Sequence, residues 1–154
     1  MKVRKIKIEE IAKLNPLFQV KDQETFMKQR IDKIKNGTQS IYVLEEDRIF
    51  IAEVTIVYDE QHYTEYTIPN QRVYAEALRV LTEYQSKGLG QYFMQEVIKQ
   101  VKEEGYTEMT IGVEDDNLKA KHIYEKLGFT EFIKRDKGSF EDDYYEYNVN
   151  MKIL

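Results

Sequence analysis

The chain has 154 residues, of which 42% are hydrophobic and 33% charged, with a net charge of −5, two histidines and no cysteine. This length predicts one domain, residues 1–154, around a single core. The lack of cysteine excludes disulfides, cysteine-ligated zinc and thiol catalysis, and the negative charge disfavours nucleic-acid binding. No run of about 20 apolar residues and no secretory signal is visible, so we expect a cytoplasmic protein with no membrane span and no metal site.

Apolar periodicity predicts elements in the order β-α-α-β-β-β-α-β-α-β-β. Residues 9–18 could form a helix or helical turns, with Pro16 in the middle. Asp22 is the expected N-cap of the second helix, which stops at Asn36-Gly37. The predicted strands span 2–8, 40–44, 49–58, 73–81, 107–113, 129–134 and 144–153. The predicted helices span 9–18, 23–35, 88–104 and 118–127. This order indicates a mixed α/β sheet, mostly antiparallel, of six to seven strands with about four helices.

Two connections in this order are long. Residues 135–143 are expected to form the turn between the last two strands. Residues 59–72 form a polar segment that is longer than most connections, and both a lid and a disordered bridge remain open for it.

The connection between the central strand and the third helix reads Gln85-Ser86-Lys87-Gly88-Leu89-Gly90-Gln91. A helix N-terminus has unpartnered N–H groups and a positive dipole end, and the two glycines let an anion approach the main chain closely. The segment is not a Rossmann fingerprint, because Phe93 stands at the third glycine position. Nor is it a P-loop, because Gln91 rather than lysine follows Gly90.

A second block lies downstream and reads Asn117-x-x-Ala120-x-x-x-Tyr124-x-x-x-Gly128-Phe129. Together with Gln85-x-x-Gly88-x-Gly90, this block resembles the GNAT superfamily of N-acetyltransferases, whose pyrophosphate loop for acetyl-CoA is Gln/Arg-x-x-Gly-x-Gly/Ala. The resemblance covers residues 72–133 and the element order of nearly the whole chain. One departure is Thr82, where many members have proline.

The resemblance implies a GNAT-like fold with acetyl-CoA as cosubstrate. The main chain at Leu78 and Val80 would pair with the pantetheine arm, and an N–H there would polarise the acetyl carbonyl. Tyr124 would protonate the leaving thiolate, and Asn117 would contact pantetheine or fix its helix. The implied cofactor-binding residues are Leu78, Val80, Gln85, Ser86, Lys87, Gly88, Leu89, Gly90, Gln91, Asn117 and Tyr124.

Simpler roles remain open for three of these residues. Tyr124 could serve packing alone, Lys87 could be a solvated loop charge, and Asn117 could be only an N-cap.

Glu76 is the candidate general base, because the attacking amine must lose a proton. Strict alternation places Glu76 on the same face as Leu78 and Val80, although a bulge would change this. Tyr74 could hold a water on the same side as Glu76. A salt-bridged or surface role for Glu76 is the alternative.

The acceptor is expected to be an amine, either a small molecule or a protein amine. Acidic and aromatic residues where this fold builds its acceptor pocket would suit a cationic amine such as a polyamine, an aminoglycoside, an amino acid or a protein amine. These residues are Glu60, Tyr63, Glu65, Tyr66, Tyr144 and Tyr145.

Two other functions remain open at this stage. One is a non-catalytic acyl-CoA-binding or regulatory module on the same fold, and the other is a purely structural domain. A homodimer through the edges of the terminal strands is also left open.

Overall fold

The computed structural model describes residues 1–60 and 65–154, and within them seven strands form one sheet. The strands are β1 (Lys2–Lys5), β2 (Gln39–Glu46), β3 (Ile49–Val57), β4 (Arg72–Val80), β5 (Glu108–Glu114), β6 (Glu131–Phe140) and β7 (Asp143–Ile153). The helices are a 3-10 helix (Ile8–Leu17), α1 (Gln23–Lys35), α2 (Leu89–Glu103) and α3 (Leu118–Leu127), with a short 3-10 turn at Thr82–Tyr84.

The strand order across the sheet is β1-β2-β3-β4-β5-β7-β6. The β4 and β5 pair is parallel, and the other five pairs are antiparallel. The strand–helix–strand crossover through α2 produces the parallel pair, since two parallel neighbours cannot be joined by a hairpin. The predicted mixed α/β fold and its element order are confirmed.

Helices cover both faces of the sheet. Along β2, Tyr42 and Leu44 point to the core under α2 and α3, while Ile41 and Val43 pack with the 3-10 helix and α1. This follows from the two-residue period of a strand, which places successive side chains on opposite faces. Because both faces are covered, all four of these side chains are buried.

Helix caps follow the predicted signals. The Asp22 carboxylate accepts a hydrogen bond from the Thr25 N–H, and the Asn117 side chain accepts one from the Ala120 N–H, each at 3.1 Å. Gly128 ends α3 with a φ of 99°, a conformation that costs glycine little. These short-range signals give α3 the boundaries that the sequence predicts.

Near the N-terminus, the structure decides between the helix and the helical turns expected at 9–18, and it shows that the predicted end of the first strand is wrong. The first predicted helix is a 3-10 helix from Ile8 to Leu17, with Pro16 inside it. Proline lacks the N–H and crowds the preceding turn, which disfavours a regular α-helix there. The first strand ends at Lys5 rather than at residue 8, because the 3-10 helix already begins at Ile8.

The predicted turn at 135–143 is also wrong. β6 continues to Phe140 and β7 begins at Asp143, so only Glu141 and Asp142 connect them. The ladder runs without a break from Arg135, opposite Asn148, to the end of β6. Cross-strand hydrogen bonds therefore hold a polar segment whose sequence has no apolar alternation.

The predicted lid or bridge at 59–72 falls partly on residues 61–64, which lie outside the described residues and include the candidate Tyr63. Beyond them, Tyr66 is buried, and its hydroxyl donates a hydrogen bond of 2.6 Å to Asp136 of β6. Tyr66 and Thr67 thus pack against the sheet. Within the described ranges, no helix is long and apolar enough to cross a bilayer.

Candidate active site

The parallel pair β4 and β5 separates part of the way along its length. Their register begins at Arg72 and Glu108 and ends at Ala75 and Ile111. From there β5 continues to Glu114 against β7, while the rest of β4 pairs only with β3. The second half of β4 therefore offers an edge along which an extended ligand could add like a strand.

A bulge lies in this half of β4. Glu76 pairs with Thr55 and Arg79 with Glu53, so Ala77 and Leu78 together lie opposite one residue of β3. Ala77 has a φ of 60°, in the left-handed region. The extra residue reverses the alternation of side chains beyond it.

The bulge corrects the predicted facing of Glu76. Glu76 and Arg79 lie opposite β3 residues that are two apart, so they share one face of the sheet. Leu78 and Val80 instead pack against the core under α2 and α3. Tyr74 lies opposite Val57 and so shares the face of Glu76, as predicted.

A cavity of about 1200 Å³ passes through the separation between β4 and β5. Three predicted site residues line it, namely Glu76, Leu78 and Tyr124. Of the predicted acceptor residues, Glu60, Tyr66, Tyr144 and Tyr145 also line it and Glu65 does not. Arg30 of α1 and Tyr124 of α3 both line the cavity. Because these two helices lie on opposite faces, the cavity connects the two sides of the sheet.

The two candidate catalytic groups are both in desolvated surroundings. Burial, followed by the negative charge of Glu114, raises the pKa of Tyr124 to about 12. Burial also raises the pKa of Glu76, although the positive charge of Lys33 opposes the shift. A tyrosine that keeps its proton can act as an acid, and a carboxylate with a raised pKa is a better base.

The pKa of Tyr74 is affected by both of these groups. Burial and then the charge of Glu76 raise its pKa well above the usual value, with smaller effects from other tyrosines that include Tyr124. A Cβ on Gly112 of β5 would lie 3.2 Å from the Tyr74 hydroxyl and 3.1 Å from the Tyr147 ring. Glycine at this strand position therefore makes room for both tyrosines.

The glycine-bearing loop lies at the end of β4, outside the lining of the cavity. The Gln85 side chain donates to the Val80 carbonyl at 2.9 Å and so ties the loop to the strand. Ser86 and Gly88 have φ values of 62° and 77°, and no side chain caps the start of α2. Its first N–H groups are thus left for a ligand, as an anion site requires.

Lys119 belongs to this loop region, and the motifs did not reveal it. Its ammonium donates to the Ser86 hydroxyl at 2.7 Å, which brings a second positive charge near that of Lys87. Asn117, by contrast, is observed as the N-cap of α3. Its contact with pantetheine stays a prediction.

The end of the cavity next to α1 contains charged and aromatic residues that the sequence did not single out. Arg30 of α1 binds the fully buried Glu53 at 2.5 Å, and Arg79 lies 3.6 Å from the same carboxylate oxygen. Phe18, Phe26 and Phe140 form an aromatic cluster beside them. These residues come from α1, β3, β4, β6 and the end of the first 3-10 helix, so no local pattern could have revealed the group.

The sequence model of the Acetyltransferase (GNAT) family matches residues 8–129. No curated protein matches the chain.

Solved structures share the fold over the whole chain. A ribosomal-protein-alanine N-acetyltransferase from Brucella melitensis is 14% identical, with a TM-score of 0.75 and 100% of both chains covered. A putative acetyltransferase from Salmonella typhimurium, solved with its cofactor acetyl-CoA, is 17% identical, with a TM-score of 0.70 over 100% of this chain and 94% of that one. An N-acetyltransferase from Staphylococcus aureus is 16% identical, with a TM-score of 0.70 over 99% of this chain and 97% of that one. Identities this low show a common fold and nothing finer.

Proposed function

Because the chain belongs to the GNAT family of acetyltransferases, we propose that it moves the acetyl group of acetyl-CoA to a primary amine by direct attack in a ternary complex. Acetyl-CoA is the acetyl donor of this family, in agreement with the cosubstrate expected from the sequence. A single domain spanning residues 1–154 would carry this activity. The supporting observation is the cavity between β4 and β5, which has Tyr124 and Glu76 in its walls.

The coenzyme would bind from the side of α2 and α3. Backbone N–H groups at the start of α2 would hold the pyrophosphate, and Lys87 and Lys119 would add positive charge. The pantetheine arm would lie along the unpaired edge of β4 at Leu78 and Val80. This path leads from the loop to the cavity, where the thioester would meet the acceptor.

The reaction needs two proton transfers. The amine nitrogen attacks the carbonyl carbon, and Glu76 takes the proton that this nitrogen loses, directly or through a water held by Tyr74. A main-chain N–H of the bulge stabilises the oxyanion. The carbon–sulfur bond then breaks, and the thiolate takes the proton of Tyr124. Solvent exchange afterwards returns Tyr124 and Glu76 to their starting states.

The substitution Tyr124→Phe tests this assignment. It removes only the hydroxyl, so kcat should fall about 100-fold or more, while the KM for acetyl-CoA changes little. The measurement is steady-state release of CoA with a panel of amines at neutral pH. The matched control is Tyr106→Phe, because Tyr106 stacks on Tyr58 and does not line the cavity.

The outcomes separate the candidate functions. A Tyr124→Phe enzyme with full kcat would remove the acid from the mechanism. If acetyl-CoA raised the melting temperature but no amine was acetylated, the chain would be a binding module. If millimolar CoA gave no thermal shift, the loop would not be a coenzyme site at all.

A further inference from the structure

Arg79 has a guanidinium that shares its carboxylate partner, Glu53, with Arg30. Its Nη1 lies 3.6 Å from Glu53, but that carboxylate is already bound to Arg30 at 2.5 Å. In the part of the chain that the structure describes, the Arg79 side chain donates no hydrogen bond. Its side chain is 22% exposed, and it lines the cavity. Five N–H donors and a charge are thus available at the cavity wall.

The Phe18 ring fixes the orientation of the Arg79 guanidinium. The centre of its guanidinium lies 3.5 Å from the centroid of the Phe18 ring, at the end of the 3-10 helix. Stacking on an aromatic ring holds a guanidinium plane while leaving its N–H groups free at the edge. Such a fixed fork suits a carboxylate, which it can bind through two parallel hydrogen bonds.

Burial opposes this charge and so favours an anionic partner. It lowers the pKa of Arg79 against the opposing charge of Glu53, and the smaller effects of Arg30 and Glu76 lower and raise that pKa respectively. Arg79 shares the Glu53 carboxylate with Arg30, and among the described residues its N–H groups have no hydrogen-bond acceptor. An anion that arrived with the substrate would relieve this cost.

We propose that Arg79 binds the carboxylate of the acceptor, and that the acceptor is an α-amino acid with an apolar side chain. This inference rests on the proposed acetyl transfer, because it assigns the acceptor of that reaction.

Distance supports this assignment. Glu76 and Arg79 lie opposite β3 residues that are two apart, so their strand positions are about 7 Å apart on one face. An acceptor whose amino and carboxylate groups are attached to one carbon can therefore present the amine towards Glu76 and the carboxylate to Arg79.

The apolar side chain of the acceptor has a matching wall. Phe18 and Phe26 have ring centroids 5.7 Å apart, and Phe140 lies 5.6 Å from Phe18. All three line the cavity with Arg79. Burying an apolar side chain against these rings would add affinity in proportion to the area covered.

The test compares three acceptors that differ only at the carboxylate. These are L-phenylalanine, L-phenylalaninamide and 2-phenylethylamine, each assayed with acetyl-CoA, and spermidine and a lysine-containing peptide complete the panel. The wild-type enzyme should have the highest kcat/KM for L-phenylalanine. Arg79→Gln should raise the KM for L-phenylalanine about 10- to 100-fold and leave that for 2-phenylethylamine unchanged, because only a charge-assisted contact is lost.

Two further variants complete the design. Arg79→Lys keeps the charge but not the fork, so it should recover only part of the preference. Arg48→Gln, at the exposed turn between β2 and β3, is the matched control and should not change it.

Each outcome gives a decision. Equal use of the three phenyl amines, or acetylation of spermidine or the peptide alone, would overturn the carboxylate site while leaving the acetyl transfer intact. A carboxylate preference that survived in Arg79→Gln would overturn the role of Arg79. If no amine in the panel was acetylated, the proposed function itself would fail. Should Arg79→Gln not fold, the wild-type preference alone decides the acceptor class.

Discussion

The position of Glu76 along β4 decides which side chains it faces and how deeply it is buried. It lies beside a bulge and shares a face with Tyr74, and burial raises its pKa. A glutamate with an ordinary pKa would bind a proton too weakly to take the one that the attacking amine nitrogen loses. The raised pKa brings Glu76 closer to the range in which general bases work at neutral pH.

The pH dependence of turnover should reveal this carboxylate. Activity needs the ionised form of Glu76, so kcat should rise as pH increases through the pKa of Glu76, at a pH above 4.5, the usual value. Glu76→Gln should lower kcat by about 100-fold or more and remove that rise. The pH profile of kcat measures both effects, with Glu24→Gln at the exposed start of α1 as the control.

The same shift has a consequence for stability. Native Glu76 binds its proton more tightly than the unfolded chain does, so the free energy of unfolding should fall as pH rises from the ordinary pKa to the raised one. Glu76→Gln should lack this decrease. If the wild-type and variant curves ran parallel over that pH range, the raised pKa would be wrong.

Residues of the site differed in how far the sequence could reveal them. Tyr124 and Asn117 lie in a block whose spacing is local. In the structure Tyr124 lines the cavity and Asn117 is the N-cap of α3. Arg79 gave no signal, because its importance comes from Phe18 and Glu53, which lie 61 and 26 positions earlier in the chain. Long-range contacts of this kind leave no periodic trace in a single sequence.

At the scale of elements, the bulge in β4 decides which side chains enter the cavity. Without it, Leu78 and Val80 would share the face of Glu76, and Arg79 would face away from Glu53. Alanine is a rare choice for a left-handed residue, so the sequence carried no sign of the bulge. The polar half of the β6–β7 hairpin, predicted as a turn at 135–143, escaped prediction for a related reason, since cross-strand pairing rather than apolar alternation holds it. Helix α3 was predictable because its cap and its stop are local.

The left-handed φ of 60° at Ala77 should make glycine the more stable residue there. The Cβ of an L-residue costs about 1–2 kcal/mol in this region, and glycine removes that cost. The greater backbone entropy of glycine in the unfolded chain offsets about 0.5–1 kcal/mol of the gain. Ala77→Gly should therefore raise the free energy of unfolding by about 0.5–1 kcal/mol, measured by urea titration.

The same substitution two residues earlier provides the control. Ala75 is fully buried in regular strand, so Ala75→Gly should lose about 1–2 kcal/mol from backbone entropy and the missing methyl group. Opposite signs for the two substitutions are expected. A loss of stability in both would mean that Ala77 carries no strain.

Across the whole molecule, the cavity is closed by segments from the two ends of the chain. The tip of the β6–β7 hairpin reaches the segment before α1, where Asp142 binds Lys21 at 2.9 Å and Glu141 accepts from its main-chain N–H at 2.9 Å. The Lys21 and Asp142 side chains are 72% and 90% exposed, so this ion pair contributes little. The contacts of Phe140 with Phe18 and Phe26 are therefore expected to hold the tip in place.

Phe140→Ser should release the hairpin tip without unfolding the sheet. Aromatic pairs contribute about 0.5–1.5 kcal/mol each beyond area burial, so losing two should speed amide hydrogen exchange around residues 138–145 about 10-fold or more. The KM for the acceptor should rise, whereas that for acetyl-CoA should not, because Phe140 packs on the α1 side of the sheet and the coenzyme loop leads into α2 on the other side. Phe132→Ser is the matched control, since Phe132 lies on the same hairpin, is 60% exposed and does not line the cavity. Exchange rates that stayed the same in Phe140→Ser would show that the ion pair and the ladder, not the aromatic cluster, hold the tip across the cavity.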